Sequence, residues 1–89
     1  MPKLASTIQI VVKSRTGVVY SGDVAAVSSL NKIGPFDILP YHANFVSMIA
    51  KKLTIHKTDG KKEELALDRG VLTVENNKVE VYLGVGKVV

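Results

Sequence analysis

The chain contains no cysteine, which excludes disulfide bridges, zinc-thiolate centres and thiol catalysis and fits a reducing compartment. Tryptophan is absent and aromatic residues make up only 6 % of the sequence, so a core must be filled by Val, Ile and Leu, types that favour strands. No apolar run approaches the roughly 18 residues of a membrane-spanning helix, and no charged and apolar leader with a cleavage site opens the sequence. The expectation is a soluble, cytoplasmic chain. His42 and His56 are the only histidines, and neither lies in a paired-acid or His-Glu-x-x-His spacing, so no metal and no cofactor are expected. The nucleophiles and bases that common enzymes bring together are scarce as well, and no catalytic residue is expected.

At 89 residues and 46 % hydrophobic, the chain reads as one domain over residues 1–89 with a thin core. Its net charge is +4, and part of the excess falls on Lys51, Lys52, Lys57, Lys61 and Lys62. Lysines beside a hairpin read as solvated residues that discourage strand-to-strand aggregation; a basic face for phosphates is the competing reading. A single-strand nucleic-acid groove would interleave such lysines with exposed aromatics. Tyr20, Phe36, Tyr41, Phe45 and Tyr82 all lie outside the lysine-rich stretch, so no nucleic-acid partner is expected. Leu83-Gly84-Val85-Gly86-Lys87 is similar to the end of a phosphate-binding loop, but Val81 stands where the first glycine is needed and Val88 where a Ser or Thr would meet magnesium.

Period two dominates the rest. Ile8, Ile10 and Val12 share one face of a strand over 7–13. Val18 to Tyr20 form a second, Ser21-Gly22-Asp23 turn the chain, and Val24 to Leu30 form a third. Asn31 to Pro35 is a loop by composition, and Phe36 to Leu39 is a short strand stopped by Pro40. Phe45 to Ile49 and Lys52 to Lys57 follow as separate strands, with His56 facing solvent, before the hairpin turn Thr58-Asp59-Gly60. Glu63 to Leu67 and Val71 to Glu75 are separated by a turn at Asp68-Arg69-Gly70. Asn76-Asn77 then makes a two-residue connection into Lys78 to Leu83. The pattern predicts an all-β fold, an antiparallel two-sheet β-sandwich of about ten short strands, with no helix.

The corner at Phe36-Asp37-Ile38-Leu39-Pro40-Tyr41-His42-Ala43-Asn44-Phe45 is the one stretch that points to a function. Pro40 removes a backbone donor and pushes Leu39 toward extended geometry, so a strand ends and the chain turns. Tyr41, His42 and Asn44 are then left at a sheet rim within reach of a partner. Phe36 and Phe45 read as core, and His42 fits either a turn imidazole bonded to neighbouring backbone or a partner contact.

From Thr7 to Leu83 the sequence resembles the N-terminal domain of the epsilon subunit of F-type ATP synthases, called delta in mitochondria. The resemblance is carried by Gly17-Val18-Val19-Tyr20-Ser21-Gly22, by Gly34 with Ile38-Leu39-Pro40-Tyr41-His42-Ala43, and by Gly70-Val71-Leu72-Thr73-Val74 before the Asn76-Asn77 hairpin. It implies a β-sandwich that catalyses nothing and binds no cofactor. It further implies a place at the foot of the central stalk, peripheral to the membrane without inserting into it, in proton-driven ATP synthesis. On transfer, Tyr41, His42 and Ala43 with Phe45, Val46 and Ser47 would face the gamma subunit, and Ile33, Gly34 and Pro35 would face the polar loops of the membrane c-ring.

The sequence departs from the family pattern at three places. Tyr41 stands where glycine usually separates proline and histidine, Ile33 and Pro35 stand where acidic residues are common, and the C-terminal helices that can inhibit hydrolysis do not follow. A free-standing sandwich recruited to another assembly, or a small basic nucleic-acid binder, are the alternatives that these departures and the charge leave open.

Overall fold

The computed structural model describes residues 7–84, and all of the regular structure among them is strand. The elements are β1 (Ile8–Ser14), β2 (Gly17–Val24), β3 (Ala26–Leu30), β4 (Pro35–Ile38), β5 (Phe45–His56), β6 (Lys62–Glu75) and β7 (Lys78–Leu83). They form one hydrogen-bonded sheet in the order β2-β1-β7-β6-β5-β3-β4.

That sheet is folded over on itself. β7 pairs with Gly70–Glu75 of β6, and β3 pairs with Leu53–His56 of β5, so β1, β2 and β7 are attached to one end of the long β5–β6 ribbon and β3 and β4 to the other. Ile8, Ile10 and Val12 from β1 nevertheless share one buried cluster with Val27 from β3 and Ile38 from β4. Each layer has one apolar face, and the fold covers one with the other, which is the physical requirement that makes a sandwich.

The sandwich agrees with the sequence pattern, and the strand count does not. Seven strands are present rather than about ten, because β5 and β6 run through both layers where two pairs of shorter strands were expected. The turn expected at Asp68-Arg69-Gly70 is instead a β-bulge: Ala50 pairs with Arg69 and Lys51 with Leu67, which leaves Asp68 as an extra residue in β6. A bulge bends a strand and switches its inward face without ending the ladder. Leu65 and Leu67 pack against the core before the bulge, and Leu72 and Val74 are buried after it. Opposite the bulge, Lys51 takes up the bend at a φ of 76°.

A second expected turn, Ser21-Gly22-Asp23, is also absorbed into a strand. Gly22 lies opposite Ile10 in the β1–β2 ladder, and the chain breaks only at Ala25, whose N–H donates to the His56 carbonyl at 2.8 Å. The sheet is not purely antiparallel either, since β1 and β7 pair in parallel from Gln9 with Lys78 to Lys13 with Tyr82. Gly70 is required where β6 meets β7: a Cβ there would lie 2.7 Å from the Tyr82 carbonyl oxygen.

Candidate docking surface

The corner is a β-turn. His42 N–H donates to the Leu39 carbonyl at 3.1 Å, Pro40 occupies the second position, and Tyr41 in the third has a φ of 64°. Proline followed by a positive φ is the type II pattern, which glycine satisfies best. Tyr41 thus adopts a left-handed backbone that disfavours L side chains by roughly 1–2 kcal/mol, and the residue is 57 % exposed. The His42 Nδ1–H donates to the Ala43 carbonyl at 2.7 Å, the turn-imidazole arrangement. Its ring stands edge-on to Phe45, centroids 5.7 Å apart, and Phe45 in turn meets Phe36 at 5.5 Å. Phe36 and Phe45 are half-buried against the core rather than inside it, so this aromatic row forms the wall behind the corner.

Past the corner, alternation along β5 sends Phe45, Ser47 and Ile49 toward one face and Val46 and Met48 toward the other. Val46 is 71 % exposed and Met48 50 %, and Ile33, on the β3–β4 loop, is 97 % exposed. These side chains are neighbours: Ile33, Val46, Ser47 and Met48 line one shallow depression with Asn31 and Lys32. Asn31 fixes the loop from both sides. Its carboxamide oxygen accepts the Ile33 N–H at 2.9 Å, and its amide donates to Ser47 Oγ at 3.2 Å. Gly34, at a φ of 141°, and Pro35 then carry the chain into β4.

The structure thus joins two groups of residues that the sequence kept apart, since Ile33 shares a depression with Val46 and Ser47. It also adds Met48, which sequence reasoning missed although it has the same parity as Val46. Lys32 and Arg69 border an adjoining depression that Met48 also lines, so the apolar patch has a cationic rim.

The opposite half of the β5–β6 ribbon is polar on the same outer side. Lys52 pairs with Glu64 at 3.9 Å; past the end of β5, Lys57 pairs at 3.0 Å with Glu63, which lies opposite Ile55 at the rim of the inward-facing row. The hydrogen bond and charge of Glu63 raise the Lys57 pKa above its ordinary 10.5. Much of the lysine charge that suggested a phosphate-binding face is compensated by acids on the returning strand. His56 is half-buried, not on an open solvent face: Ser28 Oγ lies 2.9 Å from its Nε2 and also donates to Asp37. The hydroxyl has one proton and gives it to Asp37, so His56 is the donor to Ser28. A hydrolytic triad needs the reverse, a histidine that takes the serine proton and is itself held by the acid. This row joins β4, β3 and β5 without activating a nucleophile. Among the described residues no group of three or more potential metal ligands occurs.

Residues 7–84 match the family model of the ATP synthase delta/epsilon chain, beta-sandwich domain. The chain belongs to this family. It is 30 % identical over 73 residues to the ATP synthase epsilon chain of Nitratiruptor sp., covering 81 % of this chain and 57 % of that one. It is 31 % identical over 79 residues to the epsilon chain of Campylobacter fetus, covering 88 % and 61 %. The chain therefore spans somewhat more than half the length of these relatives. Its fold is similar to a chain in the mitochondrial ATP synthase of Euglena gracilis, with a TM-score of 0.83, 19 % identity, and 92 % and 53 % of the two chains covered. The family's β-sandwich domain is thus what residues 7–84 match, and Pro40-Tyr41-His42-Ala43 is one of the turns within that span.

Proposed function

We propose that this epsilon-family chain is a non-catalytic subunit of the central stalk of a rotary F-type ATP synthase. It binds the gamma subunit through the Pro40 corner and the outer face of β5, with Tyr41, His42, Ala43, Phe45, Val46 and Ser47 in the contact. Toward the membrane ring it offers Ile33, Gly34 and Pro35, a loop that makes apolar contact where charge complementarity would otherwise serve. The subunit stays peripheral to the membrane, and no described helix is long and apolar enough to cross it.

The observation that carries the reading is the exposed pair Val46 and Met48 beside Ile33, a contiguous apolar patch in a chain whose family is fixed. Contiguous apolar side chains with a charged rim are the anatomy of an interface centre. The test is to mix the chain with the matching gamma subunit and follow complex formation by size exclusion at micromolar concentration. A co-eluting complex is expected, weakened by about 2 kcal/mol in Tyr41→Ala or Phe45→Ala. Separate elution of the wild-type chains overturns the proposal.

A further inference from the structure

The Pro40 corner is held in shape from a distance. The Asn76-Asn77 connection between β6 and β7 has φ values of 51° and 62°, the two positive angles of a type I′ turn. Such a turn asks only for that backbone, and glycine in the second position would serve it at least as well as asparagine. The side chain of Asn77 is therefore not needed for the hairpin. It is engaged elsewhere.

Its carboxamide oxygen accepts the Tyr41 N–H at 2.7 Å, across 36 residues of sequence, and its amide donates to the Thr7 carbonyl at 3.1 Å. A backbone N–H can only donate and a carbonyl can only accept, so these partners fix which way the carboxamide points. The brace is returned by the corner, where Asn44 Oδ1 accepts the Asn76 N–H at 3.4 Å. Gln9 N–H also donates to the Asn77 carbonyl at 3.2 Å, which ties the hairpin to β1 independently of the Asn77 side chain. The group so held is the amide of the one corner residue whose backbone is strained.

The structure assigns Asn77 as the positioning residue of the docking corner: its carboxamide holds the Tyr41 amide and so keeps the Tyr41 ring on the surface presented to the gamma subunit. This rests on the proposed function, and two measurements keep the brace and that function apart. The first is hydrogen exchange of the Tyr41 amide in the free 89-residue chain. In Asn77→Gly the turn keeps its backbone angles, so the Val79 and Val81 amides should stay protected, and the unfolding midpoint should fall only by the worth of the two side-chain hydrogen bonds lost and the added freedom of glycine. The Tyr41 amide should exchange about fivefold faster or more, the cost of one lost hydrogen bond. Asn77→Asp keeps an acceptor for Tyr41 but loses the donor to the Thr7 carbonyl, so exchange at Tyr41 should fall between wild type and Asn77→Gly. An unchanged Tyr41 exchange rate in Asn77→Gly overturns the brace.

The second measurement is affinity for the gamma subunit, where Asn77→Gly should bind about threefold to tenfold more weakly and Asn77→Asp should fall between it and wild type. Wild-type affinity in Asn77→Gly, with Tyr41 exchanging fast, overturns the positioning role. A wild-type chain that does not bind gamma overturns the functional reading and with it the docking half of the assignment, and the exchange data still judge the brace by themselves.

Discussion

The two halves of the β5–β6 ribbon share a backbone ladder and carry opposite outer faces. On the Phe45–Ala50 side the outward residues of β5 are Val46 and Met48, open to solvent. On the Lys51–His56 side they are Lys52, Thr54 and His56, engaged with Glu64, Ser28 and the strands around them. On the inner side each half contributes buried apolar residues to the one core, Ile49 from the first and Leu53 and Ile55 from the second. The outer faces differ, and that difference separates apolar side chains left open to solvent from polar ones engaged with their own neighbours and water.

The contrast can be broken most directly by charging the apolar half. Val46→Asp combined with Met48→Asp is expected to weaken the gamma complex more than about 100-fold, near 3 kcal/mol, with an unchanged urea midpoint. Lys52→Ala and Lys62→Ala on the polar half should stay within about twofold, as surface charges at a rim do. Titration calorimetry of the three variants reads both outcomes together, and equal losses on the two halves would erase the distinction.

Next in size is the junction of β6 with β7. Gly70→Ala places a methyl against the Tyr82 backbone and should cost about 1–3 kcal/mol in urea unfolding, the range for overpacking. A smaller and more telling effect is expected at the corner. Tyr41→Gly relieves the left-handed backbone and, after the entropy that glycine loses on folding, should stabilise the free chain by less than about 1 kcal/mol. The same change removes an aromatic contact and should weaken the gamma complex. Opposite signs in the two assays would show that the strain is kept for docking.

The smallest effect belongs to the polar half. Glu63 raises the Lys57 pKa above 10.5, so the folded state favours the bound proton; that contribution is whole below the ordinary value and fades as pH rises through the raised one. Glu63→Gln should therefore unfold slightly more easily than wild type near neutral pH, and the gap between their urea midpoints should narrow above pH 10.5.

Much of the fold was legible because the signals are local. Alternation marked Ile8, Ile10, Val12, Val79 and Val81 as one-sided, and all are buried; Asp59-Gly60 and Asn76-Asn77 both turn the chain. The joined strands were not legible, since a bulge at Asp68 and a turn at Asp68-Arg69-Gly70 draw on the same polar and glycine residues. What separates them is whether β5 continues alongside, a non-local fact. Ser21-Gly22-Asp23 misled for the same reason, its turn chemistry being overridden by pairing with β1. In the candidate surface, the corner was visible through Pro40, whereas Met48 was legible only as a partner of Val46 in parity. The roles of Asn31, Asn44 and Asn77 depend on contacts made across the fold, and composition cannot announce them.

The unbroken ladder of β5 and β6 has a mechanical consequence. Its twelve residue pairs run from one layer into the other, so the layers are joined by two paired strands and could part only by unbending this ribbon at its bulge and opening the apolar core between them. A twisting load applied at the Val46 end would reach the far end through continuous covalent backbone, not through side chains that can slip, and the domain would turn as a stiff body.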